Sequence, residues 1–289
     1  MKKGRGYNIR KKYLCFSFVA LVAIGIFILR FNSLHYNEDI PGKILLKEPI
    51  FKYTKTGSDY ATIELNTGNI SFVGAQGNKA IFLGSNKAIA LLHEDDSVEI
   101  LDLKARTVKK INFNIGKIND IAYINTSHIS LSTNNGIYVI DLATESAKCV
   151  LKSATAKHSW SKYGNMYHEL DIDNEKSIYK YNLSTSRDEF VINGISPKVS
   201  SEEKILAYRR GQKLFVRDLK TGEEYVYPYN VFDYCLVEDG RYVAVVEYYR
   251  GIDLYDGYSV RIWDYKNDKT YTVVNKYYNG ICTGIDWAE

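Results

Sequence analysis

Cysteine is scarce. Of four in 289 residues, Cys15 sits in an apolar N-terminal run, which leaves Cys149, Cys235 and Cys282. An odd number, with no CxxC pair and no histidine at ligand spacing, argues against a zinc site or a disulfide framework and for buried thiols in strands. A bridge between Cys235 and Cys282 stays open, because only geometry decides it. Acid is missing from residues 1–30, which hold Lys2, Lys3, Arg5, Arg10, Lys11, Lys12 and Arg30. Without those seven, 31 basic residues face 34 acidic ones, so the formal +4 of the chain becomes a mildly acidic body and gives no support to nucleic-acid binding. No helically spaced apolar stripe follows residue 30. Also lacking are a GxSxG elbow, an HExxH pair, a GxxxxGK loop and a GxGxxG turn, so no catalytic residue, metal ligand or cofactor is assigned. The 45% hydrophobic and 25% charged content excludes intrinsic disorder.

The acid-free leader encloses YLCFSFVALVAIGIFIL, Tyr13–Leu29, with no charge. As a helix it would span roughly 26 Å, enough to cross a bilayer at the short end of the range. No small-x-small cleavage site follows in RFNSLHYNEDI, so an uncleaved anchor over residues 13–30 is expected rather than a secretory signal peptide. The basic cluster then places residues 1–12 in the cytoplasm and the remainder outside it, joined by a linker over 31–49. This expectation makes the protein a single-pass, extracytoplasmic membrane protein.

The body repeats itself. Six segments share an apolar strand, an acid or Asn, a polar turn and a second strand, and they align on Glu64, Asp102, Asp141, Asn182, Asp218 and Asp264. The intervals run from 36 to 46 residues and average 40, the period of a four-stranded propeller blade. Tyr, Val, Ile and Phe crowd the strands, and NTGN, KTGE and KNDK supply hairpin turns. The first repeat, opening at IFKYTK, lacks an inner strand that the terminal GICTGIDWAE could supply. The expected fold is therefore all-β: a six-bladed β-propeller of four-stranded antiparallel blades over residues 50–289, preceded by one transmembrane helix and closed by the C-terminal strand on the first blade.

The segments IWDYKND, VRDLKTGEE and SPKVSSEEKILAYRRG resemble those of TolB-like and WD40-like bacterial β-propellers over roughly residues 50–289. The resemblance implies a ring of blades used mainly as a platform for other proteins or ligands. Periplasmic TolB proteins carry an extra N-terminal domain for which this chain has no room, so a role in their complex is not carried over.

Function is sought in the long loops of such a ring. The B to C loops include HEDDS (Glu94, Asp95, Asp96), DIDNEK, RRGQ (Arg209, Arg210) and the longest, YYRGIDLYDGY, with NKYYNG on the same face. They point to an aromatic and acidic binding patch of Tyr248, Tyr249, Asp253, Tyr255, Asp256, Tyr258, Tyr277 and Tyr278. ELDIDNEKS resembles a calcium loop only in part, lacking the sixth-position Gly and a bidentate acid at the twelfth, and is expected to be a polar hairpin. The five histidines are scattered and are expected to be structural or surface residues. The leading expectation is a non-enzymatic platform for a protein, peptide or glycan. The alternative is a lactonase or lyase with an axial acid or metal site, for which the inner strands offer Asp120, His158, Asp233 and Asp286.

Overall fold

The repeated acid is a turn device. Asp102 Oδ1 accepts the N–H groups of Lys104 and Ala105 at 2.8 and 2.6 Å, and Asp141 Oδ1 those of Ala143 and Thr144 at 2.8 and 3.0 Å. Asn182 and Asp218 do the same for the backbone two and three residues ahead. A left-handed residue closes each of these turns: Arg106, Glu145, Ser186 and Gly222. Short polar side chains favour such loops because they hydrogen-bond their own backbone. These backbone donors hold the carboxyls of Asp102, Asp141 and Asp218 below the ordinary range. We expect Asp218→Ala to lower the thermal midpoint by about 2–4 °C, while Asp218→Asn, which keeps the acceptor, stays near wild type. A calorimetric scan of the two variants checks this.

A computed structural model describes residues 40, 42–47, 60–67, 69–73, 75–84, 87–152, 157–250, 256–276 and 284–288. They belong to a unit spanning residues 36–289. Strands β1 (Lys43–Lys47), β2 (Tyr60–Glu64) and β3 (Ile70–Phe72) come first. Four hairpin-linked strands follow, β4 (Lys79–Leu83), β5 (Ala88–Leu92), β6 (Ser97–Asp102) and β7 (Val108–Asn112). The next set is β8 (Ile118–Asn125), β9 (His128–Thr133), β10 (Gly136–Asp141) and β11 (Ala147–Leu151). Then come β12 (His158–Trp160), β13 (Asn165–Ile172), β14 (Glu175–Asn182) and β15 (Arg187–Asn193). The remainder comprises β16 (Ile195–Val199), β17 (Ile205–Arg210), β18 (Lys213–Asp218), β19 (Glu224–Val237), β20 (Tyr242–Arg250), β21 (Asp256–Asp264), β22 (Lys269–Lys276) and β23 (Gly284–Ala288).

Among the described residues every strand pairing is antiparallel, and the assembly is an all-β, propeller-like fold. Four sheets have four strands, with the C-terminal β23 as inner neighbour of β1 in the order β23-β1-β2-β3. Six separate four-stranded sheets were expected; the hydrogen bonding instead yields a fifth sheet of seven strands, β16 to β22. The cause is β19, which runs unbroken for 14 residues, pairing with β18 by its first half and with β20 by its second. Burial grades outward within a sheet: β5 is almost wholly buried, whereas β7 and β15 are mostly exposed. Apolar residues fill the seams between sheets. Ile44 and Leu46 pack with Val246, Val260 and Ile285, while the intervening Leu45 turns to Phe82 and Leu91 on the opposite side. That alternation, at period two, lets one short strand serve two seams.

Several expectations need correction. The linker was expected to run to residue 49, but it contains β1: in KILLK three apolar residues suffice because both faces are covered. IFKYTK, expected to open the first repeat, lies outside the described residues, as does the anchor at 13–30. Among the described residues no helix is long and apolar enough to cross a membrane. DIDNEK forms a tight hairpin between β13 and β14, turning on left-handed Asp173 and Asn174. Cys149 is a free thiol and Cys235 is buried, whereas Cys282 falls outside the described residues.

Candidate functional site

The innermost strands, β4, β8, β12, β16, the second half of β19, and β23, contact one another in a closed cycle. Their first residues surround a cavity of about 230 Å³, lined by Lys79, Asp120, Lys157, His158, Lys198 and Asp233 among others. Asp96, in the turn before β6, accepts the N–H of Ile118 at the start of β8 (2.8 Å), so the B to C turn and the cavity mouth share a face.

Three of these inner strands are irregular just where they meet the cavity. Pairing slips between Ile118 and Asp120, between Ile195 and Lys198, and between Val231 and Asp233. A bulge bends its strand and re-aims the following side chain, and here all three of the re-aimed charged residues line the cavity. At the second bulge Ser196 is left-handed (φ 57°), a sparsely populated conformation for a residue with a side chain. Its N–H donates to Glu169 Oε2 at 3.0 Å, and its carbonyl accepts the hydroxyl of buried Tyr234.

Asp120, only 1% exposed, is the electrostatic centre. Lys79 pairs directly with its Oδ1, Lys157 Nζ stands 3.6 Å from the same oxygen, and His158 Nδ1 is 3.8 Å from Oδ2. Burial pushes the Asp120 carboxyl up, but Lys79, Lys157, His158 and Lys198 together bring it below the ordinary range. Lys79 is lowered to about 8, chiefly by burial, with Lys157 and Lys198 adding repulsion that Asp120 only partly offsets. Lys157 is raised by Asp120. Asp286 accepts the Phe82 N–H at 2.7 Å, and burial pushes its carboxyl up.

Asp120, His158 and Ser130 have the order of a nucleophilic triad, with Ser130 Oγ 2.6 Å from His158 Nε2. The geometry does not serve one. Ser130 is fully buried, its Oγ accepts the Trp160 indole N–H at 2.8 Å, and Asp120 is too far from His158 Nδ1 for a hydrogen bond. Burial lowers His158 to about 3, against the pull of Asp120, so the imidazole is neutral at pH 7. Among the described residues no three His, Cys, Asp or Glu side chains are grouped to hold a metal ion. The arrangement is suited to binding: fixed charges around a polar cavity.

The expected patch is dispersed. Tyr258 is buried at 1% exposure in an apolar seam beside Val246 and Val260, because alternation along β21 turns it inward; it is not a surface residue. Its cross-strand partner Tyr248 is half-buried. The loop itself is shorter than expected, since β20 reaches Arg250 and β21 begins at Asp256, so Tyr249 and Asp256 are strand positions. Asp253, Tyr255, Tyr277 and Tyr278 lie outside the described residues. Asp95 and Asp96 cap backbone groups, and Arg209 Nη1 donates to the carbonyls of Val231 and Phe232 at 3.2 and 2.9 Å. Among the described residues, Tyr229 and Phe232 are exposed aromatics where β19 crosses from β18 to β20. The sequence reading also missed Lys79, Lys157 and Lys198. The available signal was a lysine at or near the opening of three inner strands: NKAIF, AKHSW and SPKVS.

No family model and no curated protein matches the sequence. Solved structures do. TolB from Acinetobacter baumannii aligns with a TM-score of 0.68 at 16% identity, over 86% of this chain and 66% of that one. A chain of the nidogen/laminin complex aligns at 0.65 and 12% identity, over 86% and 98%. A putative TolB from Agrobacterium tumefaciens aligns at 0.60 and 11%, over 87% and 99%. The chain thus spans about two thirds of the first of these proteins, and at such identities the likeness concerns architecture alone. By its fold, this chain resembles the TolB-like β-propellers.

Proposed function

We propose that this protein is a membrane-tethered, extracytoplasmic propeller that acts as a non-enzymatic binding platform, receiving a protein, peptide or glycan over the face on which the axial cavity opens. The observation that carries this reading is the convergence of three bulged inner strands on one polar cavity. Bulges that re-aim charged side chains are retained at functional sites more readily than in plain packing. Exposed Tyr229 and Phe232 on the same face add the aromatic contact area that partner-binding surfaces favour. Tethering is supported by the basic cluster ahead of the apolar run at 13–30.

We propose that the ring has six blades. The two halves of the seven-stranded sheet pack against each other through Ala207 and Val216 on one side and Val243, Val245 and Trp263 on the other, as separate blades do. β19 serves both, as outer strand of one and inner strand of the next.

The platform is tested by capture from detergent-solubilised envelopes with the full chain as bait. Asn119, exposed and lining the mouth, is replaced by Trp to obstruct it. Captured partner is expected to fall at least about tenfold, the equivalent of 1.4 kcal/mol. Equal capture by Asn119→Trp and wild type counts against this face.

A further inference from the structure

Around the cavity the ionic contacts do not close. Asp120 is shared between Lys79 and Lys157, and Asp233 Oδ1 accepts the N–H of Tyr234 at 2.9 Å. Lys198 has no carboxylate within ion-pair distance among the described residues, although the bulge after Ile195 directs it to the cavity. Asp120 Oδ2 and His158 Nδ1, both on almost fully buried side chains lining the cavity, have no hydrogen-bond partner. Asp120 and Asp286 act on Lys198 only from beyond ion-pair distance, and a cation at a cavity wall with no direct ion pair is an anion site for a ligand small enough to reach it. The neighbouring carboxyls of Asp120, Asp233 and Asp286 set a limit on its charge: one ammonium without a direct ion pair matches a monoanion, and a dianion would meet their repulsion. Between the charges the polar cavity has apolar wall segments, formed by Ala80, Leu92, Ile118, Pro197 and Ile285. Such walls suit an aliphatic side chain better than a hydroxyl-covered sugar. Because the cavity is axial and ringed by strand ends, it admits the end of a chain and not its middle.

We infer that the axial cavity binds the free carboxyl end of a peptide, with Lys198 as the anchor for the carboxylate and the apolar walls receiving the last side chain. Capture of a terminal carboxylate by a small set of fixed donors is an established recognition mode in general. Asp120 has a positioning role, holding Lys79 and Lys157 so that Lys198 is the ammonium left to the ligand. The repulsion that Lys157 and Lys198 exert on Lys79 is relieved when a monoanion enters. The inference rests on the platform reading and narrows it to one ligand chemistry.

The test is thermal unfolding of the full chain in detergent micelles with N-acetyl-leucine, its amide, glucuronate or inorganic phosphate, at constant ionic strength. At ten times its dissociation constant, N-acetyl-leucine is expected to raise the midpoint by roughly 3 °C. The amide should leave it unchanged. Lys198→Met should abolish the response, Lys198→Arg should keep most of it, and Lys148→Met, on the exposed outer strand β11, should keep all of it. Should the Met variant fail to melt cooperatively, the contrast between acid and amide in wild type and Lys198→Arg decides. An equal shift with the amide, or an intact response in Lys198→Met, overturns the proposal. A larger shift with glucuronate overturns the peptide assignment in favour of an acidic glycan, and a larger shift with phosphate overturns the monoanion argument. The platform fails separately: an N-acetyl-leucine response with partner capture unaffected by Asn119→Trp keeps the carboxylate site and removes the docking face, and the reverse result does the opposite.

Discussion

A chain ending at Thr283 is expected not to fold. Removing Gly284–Ala288 strips the inner strand from the sheet that holds β1, whose five residues Lys43 to Lys47 each pair with one residue of β23. Ile285 leaves the seam it shares with Ile44, Leu46 and Val260, and Asp286 leaves the N–H of Phe82 in the neighbouring sheet. Full burial of a large aliphatic side chain is worth about 1.5–3 kcal/mol, and each lost ladder hydrogen bond about 1 kcal/mol net. Together these approach the whole stability of an ordinary domain, about 5–15 kcal/mol. The cut also exposes β1 as an edge at which a second chain can pair. Circular dichroism and size-exclusion chromatography should show loss of the cooperative transition and a shift to aggregates. If the peptide 280–289 added in excess restores a monomeric, cooperatively melting chain, the defect lies in ring closure itself. A truncated chain that melts within a few degrees of the full one would show that β23 contributes little.

Closure by the last strand was legible because GICTGIDWA carries the apolar alternation of an inner strand without the three partners that follow elsewhere. The aligned Glu64, Asp102, Asp141, Asn182, Asp218 and Asp264 were legible for a local reason: each serves a turn within five residues of itself. β1 was not legible, since three apolar residues between lysines look like a linker until two flanking sheets cover them. The tyrosine patch misled because aromatic content is a poor guide to exposure in strands that are covered on both faces; Tyr258 and Tyr234 are both interior. The cavity was hardest to foresee. Lys79, Asp120, Lys157, Lys198 and Asp233 are each more than thirty residues from the next and meet only because the ring closes, and nothing local marks the slips in register that aim three of them inward.

Asp120→Asn should be the most damaging conservative point substitution at the cavity. The side chain keeps its size but leaves the mostly buried Lys79 and the half-exposed Lys157 without their shared counter-charge. Removing one partner of a fully buried ion pair costs about 3–5 kcal/mol, and the water that still reaches both lysines places the loss here at or below the lower end of that range. The loss should depend on pH in a way that simple loosening would not. In wild type Lys79 titrates near 8 when folded, below the ordinary 10.5, so between those values the unfolded chain binds the extra proton and stability rises with pH. Without Asp120 the folded Lys79 sheds its proton at lower pH still, and the variant regains stability earlier. The gap between wild type and Asp120→Asn in urea unfolding should therefore narrow from pH 7 to pH 9. On the acid side, His158 titrates near 3 when folded against 6.5 in the unfolded chain, so the unfolded state takes up the proton first. Stability that is complete above pH 6.5 then declines as the pH falls toward 3. Asp120, whose folded carboxyl is also depressed, adds to the loss below the ordinary carboxylate range. His158→Gln should flatten the part of this decline between pH 6.5 and 4. A gap between wild type and Asp120→Asn that stays constant from pH 7 to pH 9 would mean that the ion pair with Lys79 does not govern the site.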